Sequence, residues 1–194
     1  MAEVELPDPE ELEAQRDKSF SRRVALTTAV YAVVLAIASL GGNNSMKEAL
    51  LSQQEATNQW AYYQAKVVRE HLNRANKLLV EAQLAEPSPL RGAEREKFDA
   101  LMKKYADEEK RMNADKKDIE KEARKFEASR DVAKRKDPYF DYAEVFLQIA
   151  IVLASVSILA ASRLMFGFSL ALAIVGALAT TNGFTLLVHI PFIE

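Results

Sequence analysis

Three long apolar blocks are the feature of this sequence that most constrains how the chain can fold. They comprise residues 24–41, 142–162 and 164–190, and nearly every charged residue lies outside them. A helix that crosses about 30 Å of hydrocarbon needs roughly 20 mostly apolar residues. Lipid offers no partner to an unpaired backbone N–H or C=O group, so a crossing segment must be helical. The blocks therefore predict three transmembrane helices.

The overall composition would by itself suggest a soluble protein, because 49% of the residues are hydrophobic and 28% are charged. The charges are segregated from the apolar blocks, so that average describes neither part of the chain. The formal net charge of -2 provides no field that would attract nucleic acid. The chain has no cysteine, which excludes disulfides, thiolate zinc sites and cysteine nucleophiles.

The segment between the first and second apolar blocks, residues 42–141, consists mostly of good helix formers. It has one clear turn at residues 86–92, where two prolines and a glycine cannot continue a helix. Two helices of about 40 residues would each extend roughly 60 Å from the membrane. The predicted fold is all-α, with three transmembrane helices and a long antiparallel coiled-coil-like hairpin between the first and the second.

Residue spacing predicts the faces through which the hairpin helices pack. Spacings of four and three alternate in the first helix, as in a coiled-coil seam, at Ala61, Ala65, Val68, Leu72, Ala75, Leu79 and Ala82. In the second helix apolar residues recur every seven positions, at Phe98, Tyr105, Met112, Ile119, Phe126 and Ala133. The alternate positions of this second seam hold Glu109, Lys116 and Arg130, so the predicted apolar contact is narrow.

Four residues of the first hairpin helix lie largely off its predicted seam, namely Trp60, Tyr62, Tyr63 and Val67. An exposed apolar patch on a solvated helix usually marks an interaction site. We therefore predict a homo-oligomer in which neighbouring hairpins pack through these residues. The alternative is an aromatic belt at the bilayer surface. Trp60 is too far along a continuous helix for that, unless the chain ends its helix or bends at Gly41-Gly42-Asn43-Asn44.

Small residues recur at helical spacing in all three apolar blocks, which predicts close packing of the helices. They are Ala25, Ala29, Ala32, Ala36 and Ser39 in the first block, Ala150, Ala154, Ser157 and Ala161 in the second, and Ser169, Ala173, Ala177 and Thr181 in the third. Arg163 lies in the few residues between the second and third blocks, which must therefore form a tight antiparallel pair.

Polar residues inside the blocks are the candidate functional residues, because such residues are costly in lipid. They are Glu144, Gln148, Thr180, Thr181 and Asn182. They would line an ion path in an oligomer or, as we favour, make structural contacts, with Asn182 bonded to a neighbouring helix. We find no nucleotide-binding loop, metal-ligand cluster or activated nucleophile. The sequence therefore predicts no catalytic, cofactor or metal site, and no enzyme.

Basic residues near the ends of the blocks predict the orientation. Arg16, Lys18, Arg22 and Arg23 precede the first block, and Arg163 follows the second. They favour a cytoplasmic N-terminus and a periplasmic hairpin, although Lys134-Arg135-Lys136 opposes this assignment. The N-terminal tail, residues 1–23, contains a predicted helix that begins with Asp8 as its cap and Pro9 at its first position. Its 7 acidic residues against 4 basic ones argue against binding to anionic lipid.

The order of these segments, with the octet Gln59-Trp60-Ala61-Tyr62-Tyr63-Gln64-Ala65-Lys66 soon after the first block, resembles an uncharacterised bacterial membrane family. That family is filed as domain of unknown function 4337. The resemblance implies a bacterial inner-membrane protein and brings no activity with it.

The sequence favours a membrane scaffold or interaction protein that self-assembles and contacts the lipid bilayer. It predicts no cofactor and no nucleic-acid partner. Two alternatives remain, an oligomeric channel or transporter subunit and an accessory subunit bound to another membrane protein.

Overall fold

The computed structural model describes residues 9–85 and 92–189. These residues form three helices, α1 (Pro9–Ala85), α2 (Gly92–Leu159) and α3 (Arg163–Thr185), and no strand. The prediction of an all-α chain in which the first two long helices pack as a hairpin is confirmed. The predicted Asp8 cap and residues 86–91 of the predicted turn lie outside the described residues, and Gly92 is the first residue of α2.

The Gly41-Gly42-Asn43-Asn44 sequence does not end α1, which is helical on both sides of it and through it. Each glycine in a helix interior lowers the stability of the helix by about 1 kcal/mol relative to alanine. A long helix whose other residues favour helix formation continues in spite of that loss. Both glycines are buried because the Phe140 ring packs against them. The sequence suggested that the helix either ends or bends at these four residues, and the suggestion that it ends is wrong.

Pro138 lies inside α2 and likewise does not end its helix. A proline removes one backbone hydrogen bond and costs about 3 kcal/mol in a helix interior. Here helix continues on both sides, and the two residues that follow, Tyr139 and Phe140, are each only 1% exposed. The close packing of these two aromatic side chains favours the helical conformation here and so opposes the cost of the proline.

A short turn joins α2 to α3, as predicted from Arg163. Ala161 adopts a left-handed conformation with φ of 45°. The next residue, Ser162, caps α3, since its Oγ accepts a hydrogen bond of 3.4 Å from the backbone N–H of Met165. Further along, Ser169 Oγ donates to the carbonyl of Ala150 across the two helices at 2.8 Å. The second and third apolar blocks therefore pack as an antiparallel pair.

The packing divides the chain into two compact units. Unit 1 contains the described residues up to Glu48 and those from Val132 onward, and unit 2 is Ala49–Asp131. The core of unit 1 consists mostly of alanines, which let helices approach closely, together with larger side chains. Its residues are Val24, Tyr31, Ala38, Ala143, Leu147, Ala150, Ala154 and Ala173.

The small-residue stripes of the apolar blocks are only partly correct. In α2 the buried set includes Ala150, Ala154 and Ser157, as predicted. In α3 the buried set is Ser169, Ala173, Gly176, Thr180 and Gly183, so the predicted stripe departs from it after Ala173. Steps of four rotate about 40° around a helix each time, whereas alternating steps of four and three stay on one face. In α1 the predicted alanines are exposed, and Val24, Tyr31 and Ala38 face the core instead.

Unit 2 is an antiparallel pair formed by parts of α1 and α2. The predicted seam of α2 is confirmed, since Met112 and Ile119 are buried and Phe126 is half-buried. The predicted seam of α1 is wrong, because all seven of its residues are exposed. The buried positions of α1 in this unit are Ala49, Ser52, Ala56, Glu70 and Val80.

Each of the three helices contains a stretch that is long and apolar enough to cross a membrane. Large apolar side chains in these stretches point outward, for example Leu26, Val30 and Val33 of α1 at 60–62% exposure. A protein in water would not leave so many large apolar groups uncovered. The three helices therefore suggest a multi-pass membrane protein.

Candidate functional site

The threonines predicted as polar contacts are used within α3 itself. Thr180 is buried and its Oγ1 donates to the carbonyl of Gly176 at 2.8 Å. Thr181 is exposed, and its Oγ1 donates to the carbonyl of Ala177 at 2.9 Å. A hydroxyl that returns to its own helix in this way satisfies its hydrogen bond without a partner helix.

Asn182 bonds the segment that follows its own helix, and not a neighbouring helix as expected. Its Nδ2 donates to the carbonyl of Val188 at 2.8 Å, and its Oδ1 accepts from the N–H of Val188 at 2.9 Å. The hydroxyl of Tyr139 donates to the same carbonyl at 3.1 Å. Leu186 adopts a left-handed conformation and closes the C-terminus of α3. Asn182 therefore stabilises the end of α3.

Glu144 and Gln148 lie one turn apart on α2, as predicted. Glu144 is half-buried near Gly42, where an added Cβ would lie 3.9 Å from Glu144 Oε1, and Gln148 is exposed. Among the described side chains, none forms a hydrogen bond or an ion pair with either residue. Of the five predicted polar residues, these two are the ones left available to another molecule.

The sequence did not reveal the role of Phe140, on which the packing at one end of unit 1 converges. Its ring contacts Gly41 and Gly42 of α1 and Gly183 of α3, and it packs edge-to-face on Phe184 with 4.9 Å between ring centroids. A Cβ at Gly183 would lie 2.9 Å from Phe140 Cε1. In the sequence, Gly41 ends the first apolar block, Gly183 lies inside the third, and Tyr139-Phe140 precedes the second, but nothing in these positions shows that they meet.

A mainly apolar groove of about 460 Å³ lies between α2 and α3 in unit 1. Aromatic and aliphatic side chains form most of its wall, and Thr181 and Asn182 add polar groups. The lining residues include Tyr139, Tyr142, Phe146, Val175, Leu178 and Leu187. Such a groove can accommodate an apolar chain or ring.

In unit 2, Trp60, one of the four residues predicted to form an oligomer interface, contacts α2. Trp60 is half-buried, and its Nε1 donates to Glu127 Oε1 at 2.9 Å. Tyr63 packs edge-to-face on Trp60 with 5.6 Å between ring centroids, and Val67 is half-buried. Only Tyr62 is largely exposed, at 52%. The expected exposure is therefore wrong for three of the four residues, whereas contact between copies here stays a prediction.

Two of the three charged positions of the α2 seam form ion pairs with α1, and the third, Arg130, donates a hydrogen bond to Gln53 of α1 and pairs with Asp131 of its own helix. Lys116 Nζ pairs with the buried Glu70, and Arg74 donates to Glu109 at 2.9 Å. Beside them, Lys66 donates to Asp115 at 2.6 Å. These hydrogen bonds hold the pKa of Glu109 and the pKa of Asp115 below their ordinary values. Glu109 and Lys116, which made the predicted apolar contact narrow, thus pair with opposite charges on the face of α1 that packs against α2.

The seven exposed residues of the predicted α1 seam form a regular apolar stripe with no partner inside unit 2. We call this stripe the outer seam. Val68, Leu72 and Leu79 are its large members, with exposed fractions of 66%, 59% and 64%. The other four members are alanines. The outer seam has the spacing of a coiled-coil face and lies outside the helix pair that the chain itself forms.

Among the described residues, no three histidine, aspartate or glutamate side chains are grouped so that they could hold a metal ion. His71 is exposed in α1.

Comparison with known proteins places the chain in a family. No curated protein and no solved structure matches it. One family model, described as a domain of unknown function, matches residues 20–186, which include all three apolar helices almost completely. The match covers far more than half of the 194 residues. The chain therefore belongs to the family described as domain of unknown function (DUF4337).

Proposed function

We propose that the protein is a non-enzymatic integral membrane protein that crosses the bilayer three times and self-assembles through its hairpin as a scaffold. The outward-facing leucines and valines of the three apolar helices support the membrane crossing. Their exposure to lipid carries no free-energy penalty, because lipid is as apolar as they are. The resemblance to a bacterial family supports the inner membrane as its location. The functional surface in this proposal is the outer seam.

The outer seam carries the proposal of self-assembly, and its chemistry fits a second copy of the same chain. A face with alternating spacings of four and three is complementary to another helix of the same period. Parallel pairing would stack Leu72 on Leu72 and Leu79 on Leu79. The flanking positions would then face each other as Gln64 with Arg69, His71 with Asn76, and Leu78 with Gln83. No like charges meet across this arrangement.

The decisive experiment replaces Leu72→Glu together with Leu79→Glu in the full-length protein in mild detergent. Four glutamates would then face one another across each pair of seams, so native mass measurement should show a smaller assembly than wild type. Ala114→Glu with Ala128→Glu adds the same charge at exposed positions of α2 and should leave the mass unchanged. An unchanged mass for the leucine variant would overturn the proposed interface.

The four residues Trp60, Tyr62, Tyr63 and Val67 give a separate test of the interface first predicted from the sequence. Tyr62 is the one member of that set with a largely exposed side chain. If copies meet through these four residues and not through the outer seam, Tyr62→Glu should reduce the assembly while the double leucine variant does not. Foreign subunits in the wild-type complex would instead favour an accessory subunit of a larger assembly.

One observation favours a channel as the second candidate. Glu144 and Gln148 share a face of the second apolar block, and no described side chain satisfies them by a hydrogen bond or ion pair. In an oligomer that face would line a polar path. Ion flux through protein-containing liposomes that is lost in Glu144→Ala with Gln148→Ala would support the channel. Absence of flux in the wild type would contradict it.

A further inference from the structure

Three arginines line one pocket in unit 1, where α1 approaches the turn between α2 and α3. The pocket has a volume of about 440 Å³. Its walls come from two helices, with Arg16, Ser19, Phe20 and Arg23 on α1 and Arg163 and Phe166 on α3. Phe20 and Phe166 pack edge-to-face with 5.9 Å between ring centroids. This aromatic contact brings together arginines that are far apart in the sequence.

The arginines of the pocket are not neutralised by the described part of the chain. No described carboxylate lies within ion-pair distance of Arg16, Arg23 or Arg163. Asp17 is adjacent in sequence, but its side chain does not line the pocket. Three cations around one cavity repel each other, and a bound anion removes that repulsion. An anionic group would therefore bind favourably among these three arginines.

The position of the pocket relative to the apolar blocks identifies the kind of anion. Arg23 immediately precedes the first block, and Arg163 separates the second block from the third. If the blocks cross the bilayer as proposed, the guanidinium groups lie at the depth of the lipid headgroups. Guanidinium forks bind phosphate oxygens in a bidentate manner, and basic pockets between membrane helices bind anionic headgroups. The two phenylalanines add apolar surface beside the charge.

We propose that Arg16, Arg23 and Arg163 form a binding site for the phosphate of an anionic phospholipid. The acidity of residues 1–23 as a whole argued against such a lipid, but the charges are segregated along the tail. Six of its seven acidic residues precede residue 14, and all four basic residues lie in 16–23. The part of the tail next to the first block is thus basic. The lipid site depends on the proposed membrane crossing and not on the outer seam.

The test measures lipid retained by full-length protein in a neutral detergent. Wild type is mixed with equal amounts of phosphatidylglycerol and phosphatidylcholine, and bound lipid is quantified by native mass spectrometry. The wild type should prefer phosphatidylglycerol, because the choline cation is repelled by the arginines. Arg23→Gln with Arg163→Gln should lower that preference on the order of tenfold, since each cation beside an anionic headgroup contributes a several-fold change in affinity.

A matched control separates the pocket from general charge attraction. Lys18→Gln with Arg22→Gln removes the same charge from exposed residues of the same segment that do not line the pocket. This control should keep the preference of the wild type. An equal loss in both variants, or no preference in the wild type, would overturn the proposal. The thermal unfolding of both variants without lipid shows whether each is folded.

A third arm distinguishes a lipid headgroup from free phosphate. Inorganic phosphate at millimolar concentration should displace little phosphatidylglycerol, because it lacks the acyl chains that hold a lipid beside the apolar blocks. Displacement as complete as that by an excess of lipid would overturn the assignment to a lipid. The subunit mass measured in the same spectra reports on self-assembly independently, so failure of the lipid site leaves the test of the outer seam intact.

Discussion

At the scale of single residues, the contact of Phe140 with Gly183 shows how little space unit 1 leaves between α2 and α3. We predict that Gly183→Ala destabilises the folded protein by about 1–3 kcal/mol, because the added methyl group would overlap a ring that is 1% exposed. Gly167→Ala is the matched control in the same helix, since an added Cβ there meets nothing within 4 Å. It should be neutral or stabilising by up to about 1 kcal/mol. Thermal unfolding in detergent measures both changes.

The buried pair of Glu70 and Lys116 gives a second prediction at this scale. Glu70 is 8% exposed, and removing it as Glu70→Ala would leave the Lys116 ammonium in the contact between α1 and α2 without its partner. We expect a loss of about 3 kcal/mol in the free energy of unfolding. Replacing both, as Glu70→Leu with Lys116→Met, should recover most of that loss. Chemical denaturation of the single and double variants measures the difference, and equal losses would contradict the pairing.

At the scale of elements, the contact between α1 and α2 in unit 2 is partly electrostatic, and its stability should depend on pH. The folded state lowers the pKa of Asp115, through its hydrogen bond from Lys66, and the pKa of Glu109, through its hydrogen bond from Arg74. A carboxylate with a lowered pKa stabilises the folded state above its ordinary pKa of about 4. That stabilisation is lost as the pH falls through the lowered values.

We therefore expect the thermal unfolding temperature to fall when the pH is reduced below about 4, with little change between pH 6 and pH 8. Asp115→Asn with Glu109→Gln should be less stable at neutral pH and should show a weaker dependence on acid. Circular dichroism in detergent at a series of pH values measures both effects. A variant with the same acid dependence as wild type would show that other carboxylates control it.

At the scale of the whole molecule, the absence of cysteine makes the membrane orientation simple to test. Ser19→Cys lies in the tail next to the first block, and Ala114→Cys lies at an exposed position of unit 2. We predict that a membrane-impermeant maleimide added to intact cells labels Cys at position 114 and not at position 19. Labelling of both after lysis is the control for accessibility. The reverse pattern would place the hairpin in the cytoplasm, as Lys134-Arg135-Lys136 would favour.

Local sequence was sufficient for the helical type of the elements and for the period of the α2 seam, whereas the steps of four predicted for α3 did not match the face that it buries. The apolar blocks and the recurrence of apolar residues every seven positions from Phe98 to Ala133 each depend on neighbouring residues of one helix, where local preferences are strong. Local sequence did not determine which face of α1 packs against α2. The apolar outer seam has the same period as the true inner face, and apolarity alone selected the wrong one.

The charges of α2 determine which face of α1 packs against it. Glu109 pairs with Arg74, Lys116 with Glu70, and Asp115 with Lys66, so these three residues of α1 must face α2. The same holds for the glycines around Phe140 and for the three arginines of the pocket, which come together only when α1 packs against α3. Residues distant in sequence acquire a common environment through packing, and no pattern within one segment records it. The sequence by itself thus determines which segments are helical and which are apolar. The charge pairs and the candidate sites form only when the helices pack, because their residues are distant in sequence.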